Sequence, residues 1–174
     1  MATKNMVSRL LLILSLFIAC VSCKYETNIT REIVVNSYLS DSLVRSFSLK
    51  VDVIKDEECS IYIYSNKDSV TTIFSILKVC DSIAYYNNVE CSILEIKQYE
   101  VDKNKYEVVT YLFDVKHSDD EELLLFFHPE YGLLVEYSEH WLLSKTFESD
   151  YITKRLAFVI KREQSKVLPR PTGL

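Results

Sequence analysis

Apolar and polar positions alternate along much of the chain with a period of two, the pattern of strands buried on one face. The clearest case in the N-terminal half sets Phe47, Leu49, Val51 and Val53 against Ser48, Lys50 and Asp52. A polar stretch, Lys55 to Glu58, separates it from a partner strand, Cys59 to Tyr64. There Ile61 and Ile63 face one way and Tyr62 and Tyr64 the other. Adjacent strands joined so closely predict a hairpin. An earlier strand is expected between Thr30 and Tyr38 around Ile33-Val34-Val35, and Ser40 to Arg45 fits neither period.

The period changes after Asn66. Asp68 is a capping residue, and Val70, Ile73, Phe74, Leu77 and Cys80 recur at three and four, which predicts a helix over Asp68–Asp81. The β-branched run Val70 to Ile73 makes a strand its competitor. Asn87-Asn88 marks a turn, and from Val89 onward the pattern predicts an antiparallel meander. Its strands are Cys91–Tyr99, Glu107–Lys116, Glu122–His128, Leu133–Tyr137 and Trp141–Phe147. Glu122–His128 is apolar on both faces and is expected to be central. Pro129-Glu130-Tyr131-Gly132 suits a four-residue hairpin loop, with Pro at the first turn position and Gly at the left-handed one. Ser149 or Asp150 caps a last helix through Ile160, with Ile152, Leu156, Val159 and Ile160 on one face; a last strand is the alternative. The expected fold is α+β: a curved antiparallel meander sheet with one or two helices packed on it.

The extreme N-terminus follows a different rule. Lys4 and Arg9 precede an apolar run, Leu10 to Ala19, and small residues and cysteines follow at once. A transmembrane helix needs about 20 apolar residues, and this run has roughly half that length. Basic flank, short apolar run and small residues are the layout of a secretory signal peptide. The expected organisation is a signal over residues 1–22, a short tether over 23–30, one domain over 31–163 and a loose tail over 164–174.

The end of the run, Cys20-Val21-Ser22-Cys23, resembles the lipobox of bacterial lipoproteins, where a small residue precedes a cysteine that becomes lipidated and N-terminal. Cys23 leaves the whole apolar run in the removed segment. Cys20, after Phe17-Ile18-Ala19, is the alternative register, and cleavage without lipid is a third. The resemblance covers only the first two dozen residues. It implies a multi-chain anchor, which holds stably where one acyl chain does not, and a place in the bacterial cell envelope. Periplasmic or secreted protein is the alternative address.

Composition narrows the chemistry. Removing Lys4 and Arg9 moves the formal charge from −5 to −7, which argues against nucleic acid and anionic lipid as partners. With Cys23 lipidated, Cys59, Cys80 and Cys91 remain, enough for one disulfide and one free thiol. If Cys23 carries no lipid, the four cysteines can all pair. Only two glycines occur, so Asn, Asp and Pro must make most tight turns.

Few motifs carry chemistry. Ser75-Ile76-Leu77-Lys78 matches S-x-x-K but lacks the companion motifs of serine acyl enzymes. His117, His128 and His140 lack the i, i+4 spacing of helical metal ligands, and Glu136, Glu139 and His140 read as a solvated loop, with a small acidic cluster as the alternative. Asn28-Ile29-Thr30 is a glycosylation sequon only in a eukaryotic pathway. Tyr62, Tyr64, Tyr111 and Tyr137 offer flat apolar faces with polar tips and are the candidate ligand-facing aromatics; core packing explains the same residues. The functional expectation is a membrane-anchored envelope lipoprotein with a non-catalytic binding or scaffolding domain, no cofactor and no metal. Its partner is an unidentified envelope protein or small ligand. A carrier of an apolar ligand in a curved-sheet cavity is the alternative, and an enzyme with a dispersed site is a third reading.

Overall fold

The period-two segments do form strands, and each pairs with its sequence neighbour. The structure, a computed structural model, describes residues 27–66, 73–81, 83–115, 122–138 and 140–167. The strands are β1 (Thr27–Leu39), β2 (Ser42–Lys55), β3 (Cys59–Asn66), β4 (Ile73–Cys80), β5 (Ile83–Tyr86), β6 (Val89–Val101), β7 (Asn104–Phe113), β8 (Leu123–His128), β9 (Gly132–Ser138) and β10 (Leu143–Glu148). They run antiparallel around a closed barrel, and β1 completes the ring by pairing with both β2 and β10. One helix, α1 (Tyr151–Val167), follows.

Inward residues make the main core. They include Val35, Leu49, Val51, Leu77, Leu125 and the rings of Tyr62, Tyr64, Phe127 and Phe147. Tyr62, Leu77 and Leu125 have no accessible surface, so no water-sized gap lies beside them. The outer wall carries charge: Lys50 Nζ lies 2.9 Å from Asp52 Oδ2, and Thr30 donates to Asp52 Oδ1 at 2.6 Å. Among the described residues, no helix is long and apolar enough to cross a membrane.

A second core lies outside the ring. Leu156, Ala157 and Ile160 of α1 pack with Phe126, Leu134, Val135 and Tyr137 of β8 and β9. The helix starts where expected, because Asp150 Oδ1 accepts the Thr153 N–H at 2.8 Å. It continues past Ile160 to Val167. The double burial explains why β8 is apolar throughout: Leu125 and Phe127 face the barrel core, and Phe126 faces the helix.

The expected open, curved α+β sheet is corrected to a closed barrel, and the reason is long-range. Val34 to Leu39 pair with Glu148 to Leu143, a seam between chain ends that no local pattern specifies. The helix expected over Asp68–Asp81 is also corrected. Ile73–Cys80 is strand β4, with Ser75 and Leu77 buried; residues 67–72 lie outside the described part. The helical spacing of Ile73, Leu77 and Cys80 coincided with a strand whose inward residues are Ser75, Leu77 and Val79. Strand β5 is too short to show a period, with four residues before the Asn87-Asn88 turn. Both asparagines adopt positive φ (49° and 67°), as a two-residue hairpin turn requires.

Candidate functional site

Antiparallel pairing sends the turns alternately to two ends of the barrel. The near end carries Asp56–Glu58, Asp102–Lys103, Pro129–Tyr131 and the start of the described chain, since Thr27 pairs with Lys55. The far end carries Ser40–Asp41, Asn87–Asn88 and His140–Leu142.

The near end is closed by a polar clamp. Arg31 donates to the Glu130 carbonyl at 3.2 Å and to that of Tyr131. Tyr62 OH donates to the Pro129 carbonyl at 2.7 Å, and Tyr64 OH accepts the Leu133 N–H at 2.8 Å. Gly132 has φ of +80°, and an added Cβ would lie 2.9 Å from Tyr64 OH. Glycine is therefore required here by both backbone and space.

The far end differs. Register places Glu136 of β9 opposite Lys145 of β10. Glu136 is 2 % exposed, yet charged by nature. Lys145 Nζ donates to its Oε2 at 2.6 Å, and Tyr86 OH donates to its Oε1. Burial, then the Glu136 charge, pushes the Tyr86 phenol up, so it remains a neutral donor. A paired, hydrogen-bonded carboxylate is the form in which such a group persists in an apolar core. The cluster continues outward. Lys145 Nζ sits 5.1 Å from the Phe74 ring centroid, Phe74 meets Phe47 at 5.7 Å, and the Arg45 guanidinium lies 5.0 Å over Phe47. Leu39, Leu43, Val44 and Trp141 are exposed around this mouth. Ser40 N–H donates to the Leu142 carbonyl at 2.8 Å and ties two of the rim turns together. With the Lys145 charge matched by Glu136, the Arg45 guanidinium, two phenyl rings and an aliphatic rim are what this mouth offers an amphipathic partner with an anionic end.

The residues singled out from the sequence fall in several places. Tyr62, Tyr64 and Tyr111 are brought together in the barrel core: Tyr62 and Tyr111 contact Phe127 at 5.2 and 6.1 Å, and Tyr64 meets Phe147 at 5.6 Å. Tyr137 is placed elsewhere, on the outer wall under α1. Cys59 and Cys80 form a disulfide joining β3 to β4, and Cys91 is a buried free thiol whose pKa is raised by burial. Ser75 is buried while Lys78 on the same strand is exposed, so the two do not meet as nucleophile and base. His128 stacks on Tyr131 at 4.8 Å. His140 sits edge-on to Trp141 at 5.0 Å. Cys20, Cys23, His117 and Glu139 lie outside the described residues. Among the described residues, no three of His, Cys, Asp and Glu come together as a metal site.

Sequence reasoning missed the Tyr86–Glu136–Lys145 cluster. Its one visible signal was Glu136 interrupting the apolar run Leu133 to Tyr137. No family model, curated protein or solved structure matches the chain.

Proposed function

We propose that the chain is a membrane-anchored cell-envelope lipoprotein whose barrel is a non-catalytic binding module, with the far-end mouth as its binding face. The supporting observation is the contrast between the barrel's two ends. The near end and interior are filled and hydrogen-bonded, whereas the far end presents Arg45, Lys145, Phe47 and Phe74 beside an exposed aliphatic rim. The described chain begins at the near end, so an anchor on Cys23 holds that end toward the membrane and leaves the mouth facing away. The Cys59–Cys80 disulfide accords with an oxidising compartment.

Intact mass of the protein from its native membrane fraction, beside Cys23→Ala, tests the anchor. A mature mass starting at Cys23 plus acyl chains, lost in the variant, is expected. An unmodified mass in the soluble fraction would remove the anchor. Trp141 is the chain's one tryptophan and stands at the rim, so its fluorescence reports binding at the mouth. Titration with a long-chain fatty acid is expected to shift that emission in the wild type and not in Phe74→Ala. The second reading, a carrier of an apolar ligand, rests on the same exposed rings. Stoichiometric lipid extracted from natively purified protein would favour it over protein binding.

A further inference from the structure

Strand β6 outruns its neighbour. It pairs with β5 only through Val89, Glu90 and Cys91, while its pairing with β7 continues to Val101↔Asn104. Among the described residues, no strand covers the other edge of β6 from Ser92 onward. Residues Ser92 to Ile96 are all exposed, including Ile93 (43 %), Leu94 (53 %) and Ile96 (59 %). A long apolar edge of this kind is a template for another strand.

The turn fixes which backbone groups are on offer. Asp102 and Lys103 both have positive φ (50° and 67°), the two-residue hairpin geometry in which the flanking pair exchanges hydrogen bonds. Counting back from Val101, the peptide groups of Tyr99, Lys97 and Glu95 point to β7. Those of Gln98 and Ile96 point to the open side. Ile96 is therefore an outward-directed position at the end of the exposed stretch, beyond the bulge at Leu94.

We infer that this edge pairs with the same edge of a second copy, antiparallel, about a two-fold axis at Ile96. The edge's own charges select that occupant. Glu95 and Lys97 flank Ile96, so the two-fold sets Glu95 of each copy opposite Lys97 of the other. β6 carries a bulge at Leu94, between Ile93 and Glu95, so the regular pairing spans Glu95 to Lys97, and no like charges meet across it. Lys97 also pairs with Glu163 of α1, so in the dimer Glu163 and the second copy's Glu95 share one ammonium, and the cross-strand charge fixes register more than it adds affinity. So short an edge buries far less than the roughly 800 Å² per partner of a stable complex, so the dimer is weak and concentration-dependent. This inference is independent of the mouth and of the lipid anchor.

Cross-linking tests the register. The full chain carrying Cys20→Ala and Cys23→Ala, purified in mild detergent, receives Ile96→Cys or Gln98→Cys. Two hydrogen-bonded Ile96 positions lie about 5.5 Å apart at Cα, within disulfide reach. Two Gln98 positions are offset along the strands by about 13 Å and are out of reach. Mild oxidation is expected to dimerise Ile96→Cys and not Gln98→Cys. Equal cross-linking of Ile96→Cys and Gln98→Cys, or none above the background protein, would overturn the pairing. Sedimentation equilibrium supplies a readout without cysteine. The wild-type average mass is expected to climb toward twice the monomer with concentration, while Ile96→Lys stays at one. A wild type that stays monomeric would overturn self-pairing and leave the edge to a strand of another protein.

Discussion

A carboxylate inside an apolar barrel is stable only while its charge is matched. Glu136 depends on Lys145 for charge and on Tyr86 for a second hydrogen bond. Removing one partner of a buried pair leaves the other charge uncompensated, which costs about 3–5 kcal/mol; removing both charges costs much less. Lys145 keeps a quarter of its side chain in solvent (26 %), so the low end applies. Lys145→Met is expected to lower stability by about 3 kcal/mol, and Glu136→Gln with Lys145→Met to recover more than half of that, since Gln still accepts from Tyr86. Urea unfolding midpoints at unchanged slope measure both. Equal losses in the single and double variants would mean that Lys145 contributes packing rather than charge. Glu136, expected from the sequence in a solvated loop, is corrected by the structure to a buried position in β9. Glu136 stands out within Leu133 to Tyr137, but Lys145 becomes its partner through the β9–β10 register, which depends on the turn before Leu143. The tyrosines show the same limit: Tyr62 and Tyr64 plainly shared one face, yet alternation does not say whether that face meets ligand or core.

Elements were more legible than their contacts. Strands β2, β3 and β7 to β9 and the start of α1 follow from period and capping, because each is decided by residues a few positions apart. β4 was not, because eight residues are too few to separate a period of two from one of 3.6, and its apolar positions satisfied both. What holds β4 to β3 includes a covalent link that sequence counting left open among three cysteines. Cys59 and Cys80 are register partners 21 positions apart. Closing a loop of that size restricts the unfolded chain by about 3 kcal/mol. The Cys59→Ser, Cys80→Ser variant is expected to lose roughly that amount. Reductant is expected to lower the wild-type unfolding temperature toward that of the variant and leave the variant unchanged. A wild type indifferent to reductant would mean that the link does not form in solution.

At the scale of the whole molecule, closure is the feature that local patterns could not contain. Every pair from β2–β3 to β9–β10 joins strands adjacent in sequence, so these pairings form through short loops. The β1–β10 seam joins residues more than a hundred positions apart, Val35 to Phe147 among them. Loop entropy must be overcome before such a contact contributes, so it forms late. Val35 and Leu125 are both fully buried in the barrel core, one at the seam and the other between sequence-adjacent strands. Truncating either to alanine removes well over 0.6 kcal/mol, enough to read a transition state. Val35→Ala is expected to act almost wholly on unfolding, with φ near 0, and Leu125→Ala to slow folding as well, with φ of about 0.5. Chevron plots of the two variants measure the difference. Equal φ at both sites would place seam closure inside the rate-limiting step, and the ring would then form in one concerted event rather than as a meander that closes.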